Sequence, residues 1–166
     1  LGLHSELIPE SAMDLMKAGV INGKKKTLHP NKAVATFAAG STDFYAWLDE
    51  NPAIEFYPVD YVNDSRVICK IDNMISVNAA LQCDLMGQVN AEAINRNQYS
   101  GIGGQVDFVR GAVWSKGGKS IIALSSTTKN DTISRIVPAI QPGDPISALP
   151  DTAPPVRLVR GGGRRR

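Results

Sequence analysis

Cysteine and histidine are scarce in this 166-residue chain, with two of each: Cys69, Cys83, His4 and His29. Two thiols make neither a disulfide framework nor a four-thiolate metal site, and the histidines stand far from any metal-motif spacing. No metal is therefore expected, and a reducing, intracellular setting is. Charge of one sign is missing too. Lys+Arg 18 against Asp+Glu 16 gives a net +2, too little for a chain-wide field that would draw nucleic acid or a membrane surface. No apolar run nears the roughly 20 residues that cross a bilayer, and the start has neither the charged nor the apolar region of a signal peptide. The expected location is cytoplasmic, or mitochondrial for a eukaryotic source, with no nucleic acid and no membrane as partner. The chain starts at Leu1, directly inside apolar sequence, which predicts a piece of a longer protein.

What is present suffices for one domain. Hydrophobic residues make up 43% of the chain, enough to close a core. Residues 8–18 carry Ala12, Met13, Leu15 and Met16 at helical spacing, with Gly19 placed to end the helix in a left-handed cap. The apolar run over residues 33–39 predicts a strand covered on both faces. Ser41 is placed to cap a helix over residues 42–50, which Asn51-Pro52 stops. Residues 54–58, 74–78, 81–85, 88–89, 120–124 and 132–137 read as further strands, and 65–68 as a helical turn. Residues 105–114 predict a helix with Val106, Val109, Arg110 and Val113 along one side, leaving the glycine loop Tyr99-Ser100-Gly101-Ile102-Gly103-Gly104. Strands alternating with helices point to an α/β layer architecture. From Gln141 five of the ten prolines gather, followed by Gly161-Gly162-Gly163 and most of a group of five arginines, Arg157, Arg160, Arg164, Arg165 and Arg166. Residues 147–166 are read as a tail without stable structure.

Candidate chemistry is sparse when read residue by residue. The glycine loop removes side-chain obstruction, and the helix behind it presents free N–H groups, so an anionic ligand could approach there. It is neither a Walker loop nor the full dinucleotide fingerprint, and a tight turn that packs helix on strand accounts for it equally well. Glu6, in Leu3-His4-Ser5-Glu6, reads by itself as a solvated or helix-capping charge, and His4 as a packed or hydrogen-bonded histidine. Glu10 is read as an exposed residue at a helix start. No serine triad assembles, because Ser5 and His4 point to opposite faces of an extended strand. Cys83 lies in an expected buried strand and reads as inert packing. Lys24-Lys25-Lys26 reads as a solvated turn, or as a contact for ligand phosphates if it lies near a site.

Several motifs in order carry a resemblance: Leu3-His4-Ser5-Glu6, Lys25-Lys26-Thr27-Leu28-His29-Pro30, Val34-Ala35-Thr36-Phe37, Tyr57-Pro58-Val59-Asp60-Tyr61-Val62-Asn63-Asp64, Gly87-Gln88-Val89, Ser100 to Phe108, and Ser134-Arg135-Ile136-Val137-Pro138. Over about residues 1–140 the chain resembles the C-terminal lobe of the acetyl-CoA hydrolase/transferase family, close to its butyrate and 4-hydroxybutyrate CoA-transferases. The resemblance implies an α/β CoA-transferase-like lobe with a mainly parallel sheet flanked by helices. It implies that Glu6 is the nucleophile, which passes through a mixed anhydride to a glutamyl-CoA thioester. It also implies that Ser100, Gly101, Gly103 and Gly104 face the CoA. Asp107 and Phe108 follow the family pattern, yet a helix-start aspartate and a core phenylalanine explain them equally.

On this reading residues 1–146 are an incomplete C-terminal lobe of an acyl-CoA:carboxylate CoA-transferase. Acyl-CoA and short-chain carboxylates are its substrates, and no cofactor is bound permanently. An acyl-CoA hydrolase and a noncatalytic truncated lobe are the alternatives. The N-terminal lobe is absent, and with it the family's oxyanion-forming surface. A homo-oligomer, or pairing with another chain, is the expected way to cover the face so exposed. Asn90-Ala91-Glu92 departs from the family pattern, where a change of packing or of acceptor preference is expected.

Overall fold

The computed structural model describes residues 1–128 and 131–149. Its first sheet is made of β1 (His4–Pro9), β2 (Ala33–Ala39) and β3 (Ile54–Phe56), all parallel and in that order. Two short helices supply the crossovers that parallel strands require, α1 (Ser11–Lys17) and α2 (Thr42–Leu48). Ser41 caps α2 as expected, its side chain accepting from Phe44 N–H, and Gly19 (φ +72°) follows α1 in the left-handed region. Buried Ile8, Ala12, Ala33, Ala35, Phe44 and Ile54 form the core of this half. The expected helix over 8–18 is shorter because Ile8 and Pro9 belong to β1, which fills the positions before Ser11.

Two one-turn helices, α3 (Val59–Val62) and α4 (Ser65–Ile68), lead to the second half. There β4 (Ile75–Ala79) pairs in parallel with β9 (Lys119–Ala123). The strand β5 (Gln82–Asp84) lies between antiparallel β6 (Val89–Asn90) and parallel β10 (Ile136–Val137). A small hairpin of β7 (Ala93–Ile94) and β8 (Asn97–Gln98) precedes α5 (Gln105–Trp114). The architecture is α/β, as the alternation of elements predicts, with the mainly parallel pairing flanked by helices that the resemblance implies. Among the described residues the strands form separate small groups, not one continuous sheet.

Four further expectations are corrected. Only the first half of β2 is covered on both faces: Ala33, Val34 and Ala35 are buried, while Phe37 is 48% exposed where the strand runs out into a cleft. In α5 the buried residues are Val109, Gly111 and Ala112 with Phe108 half-buried, and Val113 is exposed. Two neighbours set that face: α4 packs on one side and β4–β9 on the other. Lys24 and Lys25 are solvated, but Lys26 is buried, with Nζ donating to Leu3 O and Lys32 O at 2.9 Å each. Burial pulls the Lys26 ammonium down to about 8, against the opposing pull of Glu55. Finally, Ser147 and Ala148, placed in the unstructured tail, are buried. Ser147 N–H donates to Val89 O at 2.7 Å, and Val89 N–H to Ala148 O at 2.9 Å. This backbone pairing at the open edge of β6 needs no hydrophobic period, so composition did not reveal it. Residues 150–166 of the tail lie outside the described residues.

Cys83 is buried in β5, and burial raises its thiol pKa, as inert packing requires. Asn90 is buried, and its Oδ1 accepts from Glu92 N–H and Ala93 N–H, which fixes the turn into β7. No helix among the described residues is long and apolar enough to cross a membrane. No group of three or more His, Cys, Asp or Glu side chains among them is placed to hold a metal ion.

Candidate active site

Strand register decides where Glu6 points. His4 pairs with Val34 and Ser5 with Ala35, so Glu6 lies beside Thr36. Alternation then puts His4, Glu6, Val34 and Thr36 on one face of the sheet, with Ala33 and Ala35 on the other, against the α1–α2 core. The helix α3 covers the face of Glu6. Fully buried Val62 offers its carbonyl to His4 Nε2 at 2.8 Å. A carbonyl only accepts, so that nitrogen carries the proton and Nδ1 is the bare acceptor; it is buried with no partner among the described residues. Burial holds the His4 pKa down to about 4, against the Val62 hydrogen bond, with smaller downward contributions from Lys26 and His29. His4 is thus a neutral pin between β1 and α3, in line with the packed reading.

Asn63 caps α3, and its side-chain Nδ2 donates to Glu6 Oε2 at 2.5 Å. Since a carboxylate accepts only, this contact fixes which end of the amide faces Glu6. The carboxylate lies in an open cleft of about 670 Å³, walled by Thr36, Phe37, Val59, Asp64, Arg66, Gly103 and Asp107 among others. Thr36 Oγ1 and Asn63 Oδ1 on that wall are buried and have no hydrogen-bond partner among the described residues, and the same holds for Gln105 Nε2, next in the chain to Gly104.

The glycine loop reaches the cleft at one end only. A Cβ on Gly104 would lie 2.5 Å from Asn63 Nδ2 and 2.6 Å from Glu6 Oε2, so the loop backbone rests directly on the carboxylate–amide pair. Gly103 lines the cleft with φ +51°, a conformation that favours glycine. Gly104 is also the N-cap of α5, with no side-chain cap, which brings the positive end of the helix dipole to Glu6. Ser100 and Gly101 are exposed and stand outside the cleft lining; Ser100 Oγ donates to Gly101 O at 3.1 Å. Asp107, in the first turn of α5, has its pKa raised by burial first, with Arg110 opposing and Asp64 and Glu6 adding to the rise. Arg66 at the rim is paired with Asp64 at 2.9 Å.

The structure therefore brings Glu6, Gly103 and Gly104 together and leaves Ser100 and Gly101 apart. Asn63 and Thr36 went unassigned by sequence reading, although both stand in the motifs that carry the resemblance. Lys24-Lys25-Lys26 is not part of the cleft lining. Glu10 is not a free charge: its carboxylate accepts from Ser41 Oγ at 2.6 Å and Ser41 N–H at 3.1 Å, tying β1 to the cap of α2.

A parallel-stranded α/β unit with a carboxylate seated under a glycine loop agrees with the comparisons. The family model for the acetyl-CoA hydrolase/transferase C-terminal domain matches residues 40–153, and the chain belongs to that family. It is 56% identical over 143 residues to the 4-hydroxybutyrate coenzyme A transferase of Clostridium kluyveri, a match covering 86% of this chain and 33% of that protein. Among solved structures, RipA from Yersinia pestis superposes with a TM-score of 0.85 at 46% identity, covering 92% of this chain and 34% of that one. The 4-hydroxybutyrate CoA-transferase of Porphyromonas gingivalis gives 0.75 at 48% identity, covering 84% and 33%. The chain thus spans about a third of the length of the relatives it matches.

Proposed function

We propose that these residues are the nucleophile-bearing portion of an acyl-CoA:carboxylate CoA-transferase, with Glu6 as the attacking carboxylate. The reading rests on one observation above others: Glu6 is held by Asn63 at the wall of the open cleft, with the Gly103–Gly104 backbone against it. Relatives named as CoA-transferases support the same reaction class. Glu6 attacks the thioester carbonyl and the CoA thiolate leaves, giving a mixed anhydride. The thiolate then attacks the glutamyl carbonyl, releasing the first carboxylate and leaving a glutamyl-CoA thioester. An acceptor carboxylate reverses both steps and departs as the new acyl-CoA. A carboxylate nucleophile suits this exchange, because the anhydride is reactive enough to return to a thioester and acyl activation survives.

Asn63 is the group that orients the nucleophile, and Gly103 and Gly104 let the acyl-CoA chain approach the carboxylate without a side chain between them. Acyl-CoA and a short-chain carboxylate are the substrates, with no resident cofactor, and the N-terminal lobe of the longer protein supplies the facing wall. A cytoplasmic protein is part of the same proposal. The test is acceptor dependence in the full-length protein carrying these residues. Acyl-CoA alone should release little free CoA, acetate or butyrate should start the exchange, and Glu6→Ala should stop it. Equal CoA release with and without acceptor would replace the transferase by the hydrolase reading.

A further inference from the structure

The Lys25–Pro30 motif supplies no residue to the cleft, yet its His29 is the hub of a cluster directly behind it. His29 takes φ +49°, an unusual backbone conformation for a side-chain-bearing residue and one that persists only where surrounding contacts hold it. Its Nδ1 lies 2.8 Å from Glu55 Oε2 on β3, and its Nε2 lies 2.7 Å from the Tyr61 hydroxyl on α3. A carboxylate accepts only, so Nδ1 carries a proton and Nε2 accepts from Tyr61. A second proton on the ring would make Nε2 the donor to the same oxygen, so the chain from Glu55 to Tyr61 holds in either state. Tyr57 packs over the ring at 5.0 Å between centroids, and its hydroxyl donates to Glu55 Oε2 at 3.3 Å. Lys32 Nζ lies 3.9 Å from Glu55 Oε1.

What the cluster grips is α3, a helix of four residues that has no stability of its own. Two histidines fix it to the first sheet: His4 through the Val62 carbonyl and His29 through the Tyr61 hydroxyl. Asn63 follows at once, its N–H bonded to Val59 O at 2.9 Å, and its amide holds Glu6. Tyr61 and Asn63 are two residues apart, so a shift of the one carries the other.

We propose that His29, backed by Glu55, is a positioning residue of the transfer reaction: through Tyr61 it sets α3 and hence the Asn63 amide against the Glu6 carboxylate. The proposal rests on Glu6 as nucleophile. Tyr61→Phe removes only the hydroxyl and keeps the ring packing. In the full-length protein it should lower kcat about tenfold while KM for acyl-CoA stays within about twofold, because an orienting contact is lost and no substrate contact is. His29→Gln and Glu55→Gln should act in the same direction.

The decisive comparison is a double-mutant cycle. If Tyr61 acts through Asn63, Tyr61→Phe should change kcat by less than about twofold in the Asn63→Ala background. The same tenfold fall in both backgrounds would overturn the proposal, as would a Tyr61→Phe protein that loses thermal stability but keeps its kcat. Should His29→Gln fail to fold, the Tyr61→Phe cycle alone carries the test. Glu6→Ala separates the two levels: full turnover in that variant refutes the nucleophile, whereas loss there with no effect of Tyr61→Phe refutes only His29.

Discussion

Gly104→Ala is a steric probe aimed at a single hydrogen bond. The backbone of Gly104 has φ −88° and ψ 5°, outside the left-handed region that favours glycine and open to other residues as in type I turns, so the substitution tests space above conformation. The added methyl would lie 2.5 Å from Asn63 Nδ2 and 2.6 Å from Glu6 Oε2, where ordinary contact begins at 3.4 Å. The amide and the carboxylate must therefore give way by about 0.8 Å, close to the roughly one-ångström misplacement that can cost a hundredfold in rate. We expect kcat of the full-length protein to fall by about that factor, with the thermal midpoint within a few degrees of the parent. Gly103→Ala supplies the contrast, because its methyl meets nothing within 4 Å but its φ of +51° imposes strain. That variant should lose about 1 kcal/mol of stability. Stopped-flow turnover and differential scanning calorimetry on both proteins separate the two effects. A Gly104→Ala protein with kcat within about threefold of the parent would show that the loop does not press on the Glu6–Asn63 pair.

Two further predictions concern the groups that hold β1 in place. His4 is kept neutral in the fold, with its pKa at about 4 against 6.5 when free, so between those values the unfolded chain binds more protons and stability falls as the pH drops. The full difference corresponds to roughly 3 kcal/mol, and His4→Gln should flatten this part of the pH profile in urea unfolding; an unchanged slope would refute the assignment. Glu10→Ala should lower the thermal midpoint by freeing the cap at Ser41 while leaving kcat unchanged. Its hydrogen bonds to Ser41 depress the Glu10 pKa, so the stability they add is present above pH 4.5 and lost as the pH falls through the lowered value. A Glu10→Ala midpoint equal to the parent's at neutral pH would show that the bond adds nothing.

Continuous apolar runs and strong punctuation were readable in the sequence. The strand β2 and the helix α5 match their expected bounds to the residue, and Ser41 caps where a serine before a helical pattern should. The elements that went unread are those held by partners distant in sequence. Single-turn α3 has no period to detect, and His4 and His29, 58 and 32 residues away from their partners, give it its place. Buried Lys26 looked like one of three solvated charges because its acceptors, two backbone carbonyls, leave no mark in the sequence. The site was legible in the same uneven way. Resemblance pointed to Glu6 and the glycine loop, but only the strand register and the loop's approach separate Gly103 and Gly104, which reach the carboxylate, from Ser100 and Gly101, which do not.

The central claim is a covalent bond to one side chain, and mass spectrometry reads it directly. Full-length protein incubated with acyl-CoA without acceptor, quenched and digested, should carry the mass of coenzyme A on the peptide containing Glu6, and addition of a carboxylate acceptor before quenching should remove it. Coenzyme A found on another residue, or acceptor-dependent exchange proceeding with an unmodified Glu6 peptide at every time point, would contradict the account.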